Sequence, residues 1–348
     1  MSAPTLLTAI RSRVVVDVDS MDPDVAARHT DKASGQQFCD MTSNQAIVYG
    51  EATKPERSAL LKAAVKASNV NADVLVNAEQ QVVDNALDLI TVQLAKTVYP
   101  YLTGRVHAQT SPSAAFDTEK TIAHAKRLVS VFEANGIPKS RVCIKIPATP
   151  ESLIACQYLE KTGIRTLGTC LFSVAQAEAA AEAGCLYIAP YFNELRVHFE
   201  PSVWKEYKDT ASEHPMAQVI RDIVRVYKAN GTKTLVMPAS IVTAAEVEAL
   251  VSLHPNHLTL SGGVLDKLAA LPAPAASGPN DPEPPHASAD GPPPSAEPTS
   301  YLANDGAKLR EALAADAEST RKLLDALKIF GEMEDKLREV VKKELLAL

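Results

Sequence analysis

The strongest constraint on the fold is an alternation of short β-branched runs with longer helical stretches between residue 13 and about residue 265. This pattern is typical of parallel strands that are joined by helical crossovers. One such helix is predicted between Asp117 and Asn135, where apolar residues recur at helical spacing before a Gly-Ile-Pro stop. Strands are predicted at eight places: Val14 to Asp19, Phe38 to Ser43, Arg105 to Thr110, Val142 to Pro147, Arg165 to Cys170, Leu186 to Pro190, Thr234 to Ala239 and His257 to Ser261.

Eight units of this kind predict an α/β fold, a (β/α)8 TIM barrel, over residues 1–270. A doubly wound open sheet is the alternative. No Gly-rich phosphate-binding turn follows the first predicted strand, which weakens the usual reason to choose the open sheet. With 46% hydrophobic and 22% charged residues, the chain has enough apolar material to bury a core of this size.

The composition changes after the predicted barrel. Ten of the 23 prolines fall between Leu271 and Ser300, mixed with Ala, Ser, Gly and Asp. Residues 271–303 are therefore predicted to form an extended or disordered linker. Apolar residues then recur near one face between Ala307 and Leu345. Residues 304–348 are predicted to be a C-terminal helix or helix pair that packs on the barrel or on a partner subunit.

Charge and cysteine usage exclude several classes of partner. The net charge of -7 gives no electrostatic footprint for nucleic acid or for an anionic membrane, and no apolar run approaches 18 residues. The five cysteines lack a paired spacing, so we expect free thiols in a reducing, cytoplasmic compartment. The eight histidines include no HExxH or paired spacing, so no metal site is predicted, and nothing suggests a cofactor.

One lysine interrupts an otherwise apolar strand. In Arg141-Val-Cys-Ile-Lys145-Ile-Pro, burial of an unpaired ammonium is costly. Lys145 must therefore be paired, lie at the open end of the barrel, or lose its proton. Desolvation lowers a lysine pKa toward the range in which the neutral amine attacks a carbonyl. The carboxyl ends of barrel strands face the active site, and Lys145 is near that end of its strand.

The segments around Lys145 carry several further motifs in order along the chain. These are Ile144 to Thr149, Leu159 to Ile164, Thr169 to Ala177 and Ala180 to Gly184, with Val16 to Asp22, Thr42 to Asn44 and Phe116 to Glu119 upstream. Together they resemble the core of the transaldolase family of class I aldolases, over roughly residues 13–265. The resemblance implies a TIM barrel and small ketone and aldehyde substrates. It also implies self-association, so a homodimer is one expectation.

By that resemblance Lys145 forms a Schiff base with a ketone donor, and the resulting enamine attacks an aldehyde acceptor. Asp19 resembles the carboxylate that assists proton transfer at the C4 hydroxyl, and Thr169 resembles the threonine that holds the catalytic water. Thr42, Asn44 and Ser240 resemble substrate-positioning groups. Each has a structural alternative: Asp19 caps a helix, Thr42 and Thr169 satisfy backbone groups, or Asn44 forms a turn.

The chain departs from transaldolases at two positions near the imine. Gln109 stands where they usually carry glutamate, and Tyr191 where they usually carry phenylalanine. This pair resembles the fructose-6-phosphate aldolases, in which a tyrosine and a glutamine hold the catalytic water and free dihydroxyacetone is the donor. A glutamine cannot shuttle protons, so the phenol of Tyr191 supplies the acid-base group.

Two more departures concern phosphate recognition. Glu194 and Val242 occupy the places of the arginines with which transaldolases usually hold the substrate phosphate. A carboxylate repels a phosphate dianion, and the loss of guanidinium contacts removes the strongest anion recognition. Arg196, two residues on, is the candidate that could restore the site.

Three functions follow from these observations. The first is a transaldolase-like aldolase with weakened sugar-phosphate recognition. The second is a pentose-phosphate transaldolase that transfers dihydroxyacetone between sugar phosphates through a rebuilt phosphate site. The third is a non-catalytic scaffold, which the joint presence of Lys145, Asp19, Asn44 and Thr169 disfavours.

Overall fold

The computed structural model describes residues 4–69, 78–273 and 299–348. Within these ranges the parallel strands are short and buried on almost every position. They are β1 (Val15–Val18), β2 (Val106–Gln109), β3 (Val142–Pro147), β4 (Arg165–Leu171), β5 (Tyr187–Pro190), β6 (Leu235–Val236) and β7 (His257–Leu260). Strands β2 to β6 form one parallel sheet in sequence order, and β1 pairs in parallel with β7. No helix of the described ranges has the length and apolarity that a membrane span requires.

Backbone hydrogen bonds join the two sheets into the barrel that the sequence predicts. At one seam the Met41 amide donates to the Arg105 carbonyl at 2.9 Å, and Met41 also bridges Val18 in parallel. At the other seam the Asn256 amide donates to the Val236 carbonyl at 3.0 Å. The predicted strand Thr234 to Ala239 is reduced to two residues, and Pro238 within it has no N–H to donate to a ladder.

The predicted strand Phe38 to Ser43 is wrong as a continuous strand, although its residues complete the barrel wall through isolated bridges. Side-chain carboxylates replace some of the interstrand hydrogen bonds that a continuous strand would form. The Asp40 amide donates to the Asp17 carboxylate at 2.7 Å, and the Arg105 amide donates to the Asp40 carboxylate at 2.6 Å. Because these carboxylates accept backbone N–H groups, regular pairing with both neighbours is interrupted.

The helices surround the strands. Asp117 caps the predicted helix between Asp117 and Asn135, which is confirmed as Thr118–Ala134. The helices are α1 (Leu6–Arg11), α2 (Pro23–Arg28), α3 (Gln45–Ala52), α4 (Ser58–Ser68), α5 (Ala78–Val98), α6 (Thr118–Ala134), α7 (Pro150–Lys161), α8 (Val174–Glu182), α9 (Thr210–Glu213), α10 (Pro215–Ala229), α11 (Ala244–Val251), α12 (Gly262–Ala270), α13 (Ala303–Ala315) and α14 (Ala317–Leu346).

The C-terminal segment forms the pair α13 and α14. Helix α14 contacts α3, α5 and β4, and its Ser319 hydroxyl donates to the Phe172 carbonyl at 3.2 Å. Its buried face includes Leu323, Phe330 and Leu337. The helix therefore covers the carboxyl ends of the strands on one side. Residues 274–298, most of the predicted linker, lie outside the described residues, and the division of the chain at residues 270 and 303 stays a prediction.

Alternate residues of each strand point into the barrel, so its interior is layered. The upper layer, at the carboxyl ends, includes Asp19 and Lys145. Two residues earlier on β1, Asp17 lies about 7 Å deeper by the rise of a strand. The buried ion pair of Asp17 with His257, at 2.8 Å, belongs to this lower layer.

Candidate functional site

Lys145 lies on β3 with only 2% of its surface exposed. Burial lowers the pKa of Lys145 below the ordinary lysine value, while the nearby Asp19 and Cys170 side chains act in the opposite direction. The lowered pKa increases the fraction of neutral amine, which is the form that attacks a carbonyl carbon. The local sequence places the lysine here because Ile144 and Ile146 face outward and hold the strand in the core.

A cavity of about 290 Å³ opens above this lysine. This volume accommodates a small organic substrate. Its lining combines one amine, one carboxylate, several hydrogen-bonding groups and an apolar side. The lining residues are Asp19, Asn44, Ala46, Ile47, Lys145, Tyr191, Leu195, His198, Phe199, Ala239, Ser240 and Ser261.

Asp19 follows β1 and is held by a threonine. The Thr42 hydroxyl donates to the Asp19 carboxylate at 2.6 Å and lies 2.6 Å from the Thr259 hydroxyl. Thr42 is itself buried and is not among the lining residues. The structure therefore places Thr42 behind Asp19, where it orients the carboxylate, and not in contact with the cavity as a substrate-binding group.

Tyr191 and Thr169 form the second hydrogen-bonded pair of the site. The Thr169 hydroxyl lies 3.2 Å from the Tyr191 phenol, and the Lys145 amine lies 5.8 Å from the centroid of the Tyr191 ring. Burial raises the pKa of Tyr191 well above its ordinary value, and the nearby Cys170 adds to the shift. The phenol thus stays protonated and can donate a proton or hold a water beside the lysine.

Asn44 and Ser240 both line the cavity. Asn44 also caps a helix, and Ser240 has a strained backbone. The Asn44 side-chain oxygen accepts from the Ala46 and Ile47 amides, both at 3.0 Å, and so caps α3. Asn44 therefore caps a helix, where the sequence offered a turn as its structural alternative, and its amide nitrogen remains as the cavity donor. Ser240 has a φ of 59°, in the left-handed region, where strain is commonly retained at functional sites.

Gln109 is not among the residues that line the lysine cavity. Gln109 pairs in register with Lys145 across β2 and β3, but its amide donates to the Gln45 side chain at 2.7 Å. It lines a separate cavity of about 40 Å³ on the other side of Asn44. Gln45 is buried and its own amide donates to the Thr110 carbonyl at 2.9 Å, so this pair fixes the Gln109 amide group.

Arg196 is also placed away from the cavity, against the expectation that it could restore phosphate binding. It lies in the 3₁₀ turn after β5 and pairs with Glu200 at 3.1 Å and with Asp325 of α14 at 3.9 Å. Glu194, in the same loop, pairs with Arg321 of α14 at 2.9 Å. These pairs occupy both guanidinium groups with carboxylates, which compete with any substrate anion.

Sequence reasoning missed His198 as a lining residue. Its Nε2 lies 2.9 Å from the Ser240 hydroxyl. Burial lowers the pKa of His198, although Asp19 and Glu246 act in the opposite direction. His198 ends a four-residue 3₁₀ turn that is too short for its sequence pattern to show which residue faces the cavity, so only the distance to Ser240 reveals it. Leu195 and Phe199 of the same loop supply much of the apolar side.

A parallel barrel with a buried, low-pKa lysine, a carboxylate and a phenol at its carboxyl-end mouth defines an enzyme of the class I aldolase type. The comparison with protein families agrees. The family model described as "Transaldolase/Fructose-6-phosphate aldolase" matches residues 16–339 of this sequence. The chain belongs to this family of enzymes, whose members work through a lysine Schiff base.

Individual relatives in this family align with most or nearly all of the chain. A transaldolase of Alteromonas mediterranea is 30% identical over 341 residues, covering 98% of this chain and 99% of the relative. A transaldolase of Saccharomyces cerevisiae is 32% identical over 309 residues, 88% of each chain. The family resemblance that the motifs predicted is therefore confirmed, as is the enzyme class.

Proposed function

We propose that this enzyme uses Lys145 as its Schiff-base lysine and prefers unphosphorylated carbonyl substrates. The single observation that carries the first half is the burial of Lys145 at the base of a substrate-sized cavity. A neutral amine there attacks the ketone carbon of the donor, and loss of water gives the imine. Loss of a proton or cleavage of the adjacent carbon–carbon bond then gives the enamine that adds to the aldehyde acceptor.

The proton transfers fall to two groups. Asp19 is positioned by Thr42 to take the proton of the hydroxyl at the bond that breaks, which is C4 of a ketose donor. Tyr191, with Thr169, holds and protonates the water or hydroxyl at the imine carbon, because its raised pKa keeps the phenol protonated. Asn44 and Ser240 position the donor and acceptor hydroxyls.

The second half of the proposal rests on the charges around the cavity. Lys145 is the one lysine or arginine among the lining residues, and it is used to form the imine with the substrate carbonyl. Arg196 and Arg321 are bound to carboxylates. His198, with its lowered pKa, is neutral at pH 7 and offers a hydrogen bond in place of a charge. A neutral hydroxyl therefore fits this end of the cavity better than a phosphate dianion.

The test traps the covalent intermediate. The native chain, Lys145→Met and the control Lys161→Met, which alters an exposed lysine of α7, are incubated with dihydroxyacetone and reduced with borohydride. Intact mass is then measured. The expected result is a three-carbon adduct on the native chain and the control, and none on Lys145→Met. A full adduct on Lys145→Met would assign the imine to another lysine.

The acceptor preference is measured separately, with dihydroxyacetone as donor and with glyceraldehyde or its 3-phosphate as acceptor. The unphosphorylated acceptor is expected to have the higher kcat/KM. A preference for the phosphate of ten-fold or more, which is about 1.4 kcal/mol, would favour the pentose-phosphate transaldolase. Absence of any adduct from a panel of ketones would favour the scaffold.

A further inference from the structure

A second group of metal-ligating side chains lies below the lysine, in the lower layer of the barrel interior. One donor atom each from Asp17, Cys39 and His257 lies within 4.8 Å of the other two. Asp17 and His257 are buried, and Cys39 is half-buried. We propose that these three residues bind a zinc ion or another borderline-soft divalent cation, at a site separate from the aldolase cavity.

The donor set and its spacing suit zinc. Carboxylate oxygen, imidazole nitrogen and thiolate sulfur are its usual ligands, and bonds of about 2.0–2.3 Å place neighbouring ligand atoms roughly 3.3–3.7 Å apart. Asp17 Oδ2 lies 2.8 Å from His257 Nδ1, and Cys39 Sγ lies 3.4 Å from Asp40 Oδ1. Side-chain shifts of about 1 Å convert this arrangement into a tetrahedron, with Asp40 or a water as fourth ligand.

The charges of the cluster also favour a cation. Two carboxylates, of Asp17 and Asp40, lie near the Cys39 thiol, and their negative charge attracts a cation. On binding, Cys39 gives its thiol proton to solvent and ligates as thiolate. His257 gives its Nδ1 proton to solvent, ligates through Nδ1 and carries its remaining proton on Nε2. Asp17 exchanges its hydrogen bond from His257 for a bond to the metal.

The site lies where the barrel wall is least regular. Cys39 and Asp40 belong to the segment that forms bridges and no strand of its own. The backbone at Gly104 leaves space for this segment, because a Cβ there would lie 2.0 Å from Asp40 Oδ1 and 2.8 Å from Cys39 Sγ. A metal ion would connect β1, this segment and β7, and would stabilise the seam by restraining it.

Cobalt substitution tests the site. The full-length protein is stripped with a chelator, dialysed and titrated with Co²⁺, whose thiolate complexes absorb in the near ultraviolet. The native chain is expected to bind one equivalent with a thiolate charge-transfer band and to gain roughly 5 °C or more in Tm with Zn²⁺. Cys39→Ser is expected to lose the band and most of the Tm gain. Cys156→Ser, which removes a buried thiol of α7, is expected to retain both.

Two results would overturn the proposal. One is a native chain that shows no thiolate band with Co²⁺. The other is a band that persists in Cys39→Ser, which would place the metal on another thiol. If Cys39→Ser fails to fold, judged by circular dichroism, Asp17→Asn serves instead; it retains the thiol and is expected to bind Co²⁺ at least ten-fold more weakly.

Discussion

Two layers of polar side chains lie one above the other inside this barrel, and they differ in whether they face a cavity or bond to one another. In the upper layer, Lys145, Asp19 and Tyr191 face a cavity of about 290 Å³. In the lower layer, Asp17 pairs with His257 and Asp40 with His107, both at 2.8 Å. Groups that face a cavity are available to a substrate, whereas groups that bond one another stabilise the wall.

The electrostatics of the two layers differ in the same way. Burial alone would raise the pKa of Asp40, but hydrogen bonds from His107, the Arg105 amide and Tyr187 lower it below the ordinary value. No such set of partners compensates the burial of Lys145, and its pKa is lowered by desolvation. Asp40 in the lower layer therefore holds its negative charge, whereas Lys145 in the upper layer more readily loses its proton.

The largest expected effect is on stability, from Asp40→Ala in the lower layer. Removing this carboxylate leaves His107 and the Arg105 amide without their buried acceptor, so the free energy of unfolding should fall by about 3–5 kcal/mol. Urea denaturation measures it. Asp24→Ala, at an exposed carboxylate of α2, is the control and should cost less than about 1 kcal/mol. Equal effects in the two variants would contradict the role of the lower layer.

A matched pair of tyrosines on and just after β5 separates the layers directly. Tyr191→Phe should lower kcat by about 10²-fold with little change in stability, because it removes the acid-base phenol. Tyr187→Phe, which loses a hydrogen bond to Asp40, should lower the free energy of unfolding by about 1.5–3 kcal/mol and leave kcat unchanged. Steady-state kinetics and urea denaturation check both. The reverse assignment would mean that the layers are exchanged in function.

The next prediction concerns pH and Lys145. Its pKa in the folded state lies below the ordinary value, so the unfolded chain binds more protons between the two values and stability rises with pH there. Lys145→Met removes the free-energy cost of burying the lysine ammonium. The variant should be more stable than the native chain near neutral pH, and the difference should shrink as pH approaches the ordinary value of 10.5. A pH-independent difference in unfolding free energy would indicate that Lys145 is not desolvated.

The smallest expected effect is on acceptor choice. As pH falls below 6.5 and through the lowered pKa of His198, the imidazolium forms, and the KM for a phosphorylated acceptor should fall by about 3–10-fold. Asp19, Glu246 and the Ser240 hydroxyl face this ring. His198→Asn, which retains a hydrogen-bonding group without the charge, should show no such fall. A parallel pH profile in the variant would assign the effect to another group.

The sequence determined the barrel, the family and the importance of Lys145, because strand and helix periodicity and a lysine in an apolar strand are local signals. It also placed Asp19, Asn44, Tyr191 and Ser240 near strand ends, where parallel strands bring them together at one cavity. Their roles in the reaction stay predictions that the experiments above address.

Only the tertiary structure decided which side chains face that cavity. Gln109 turns to Gln45 and Arg196 to Glu200, and neither partner can be chosen from strand pattern alone. His198 reaches Ser240 across 42 positions, and Asp17 reaches His257 across 240. Periodicity fixes which face of an element is buried, whereas contacts between distant segments depend on how the elements pack. In this protein those contacts separate the upper layer, which faces the cavity, from the lower layer, whose side chains bond one another.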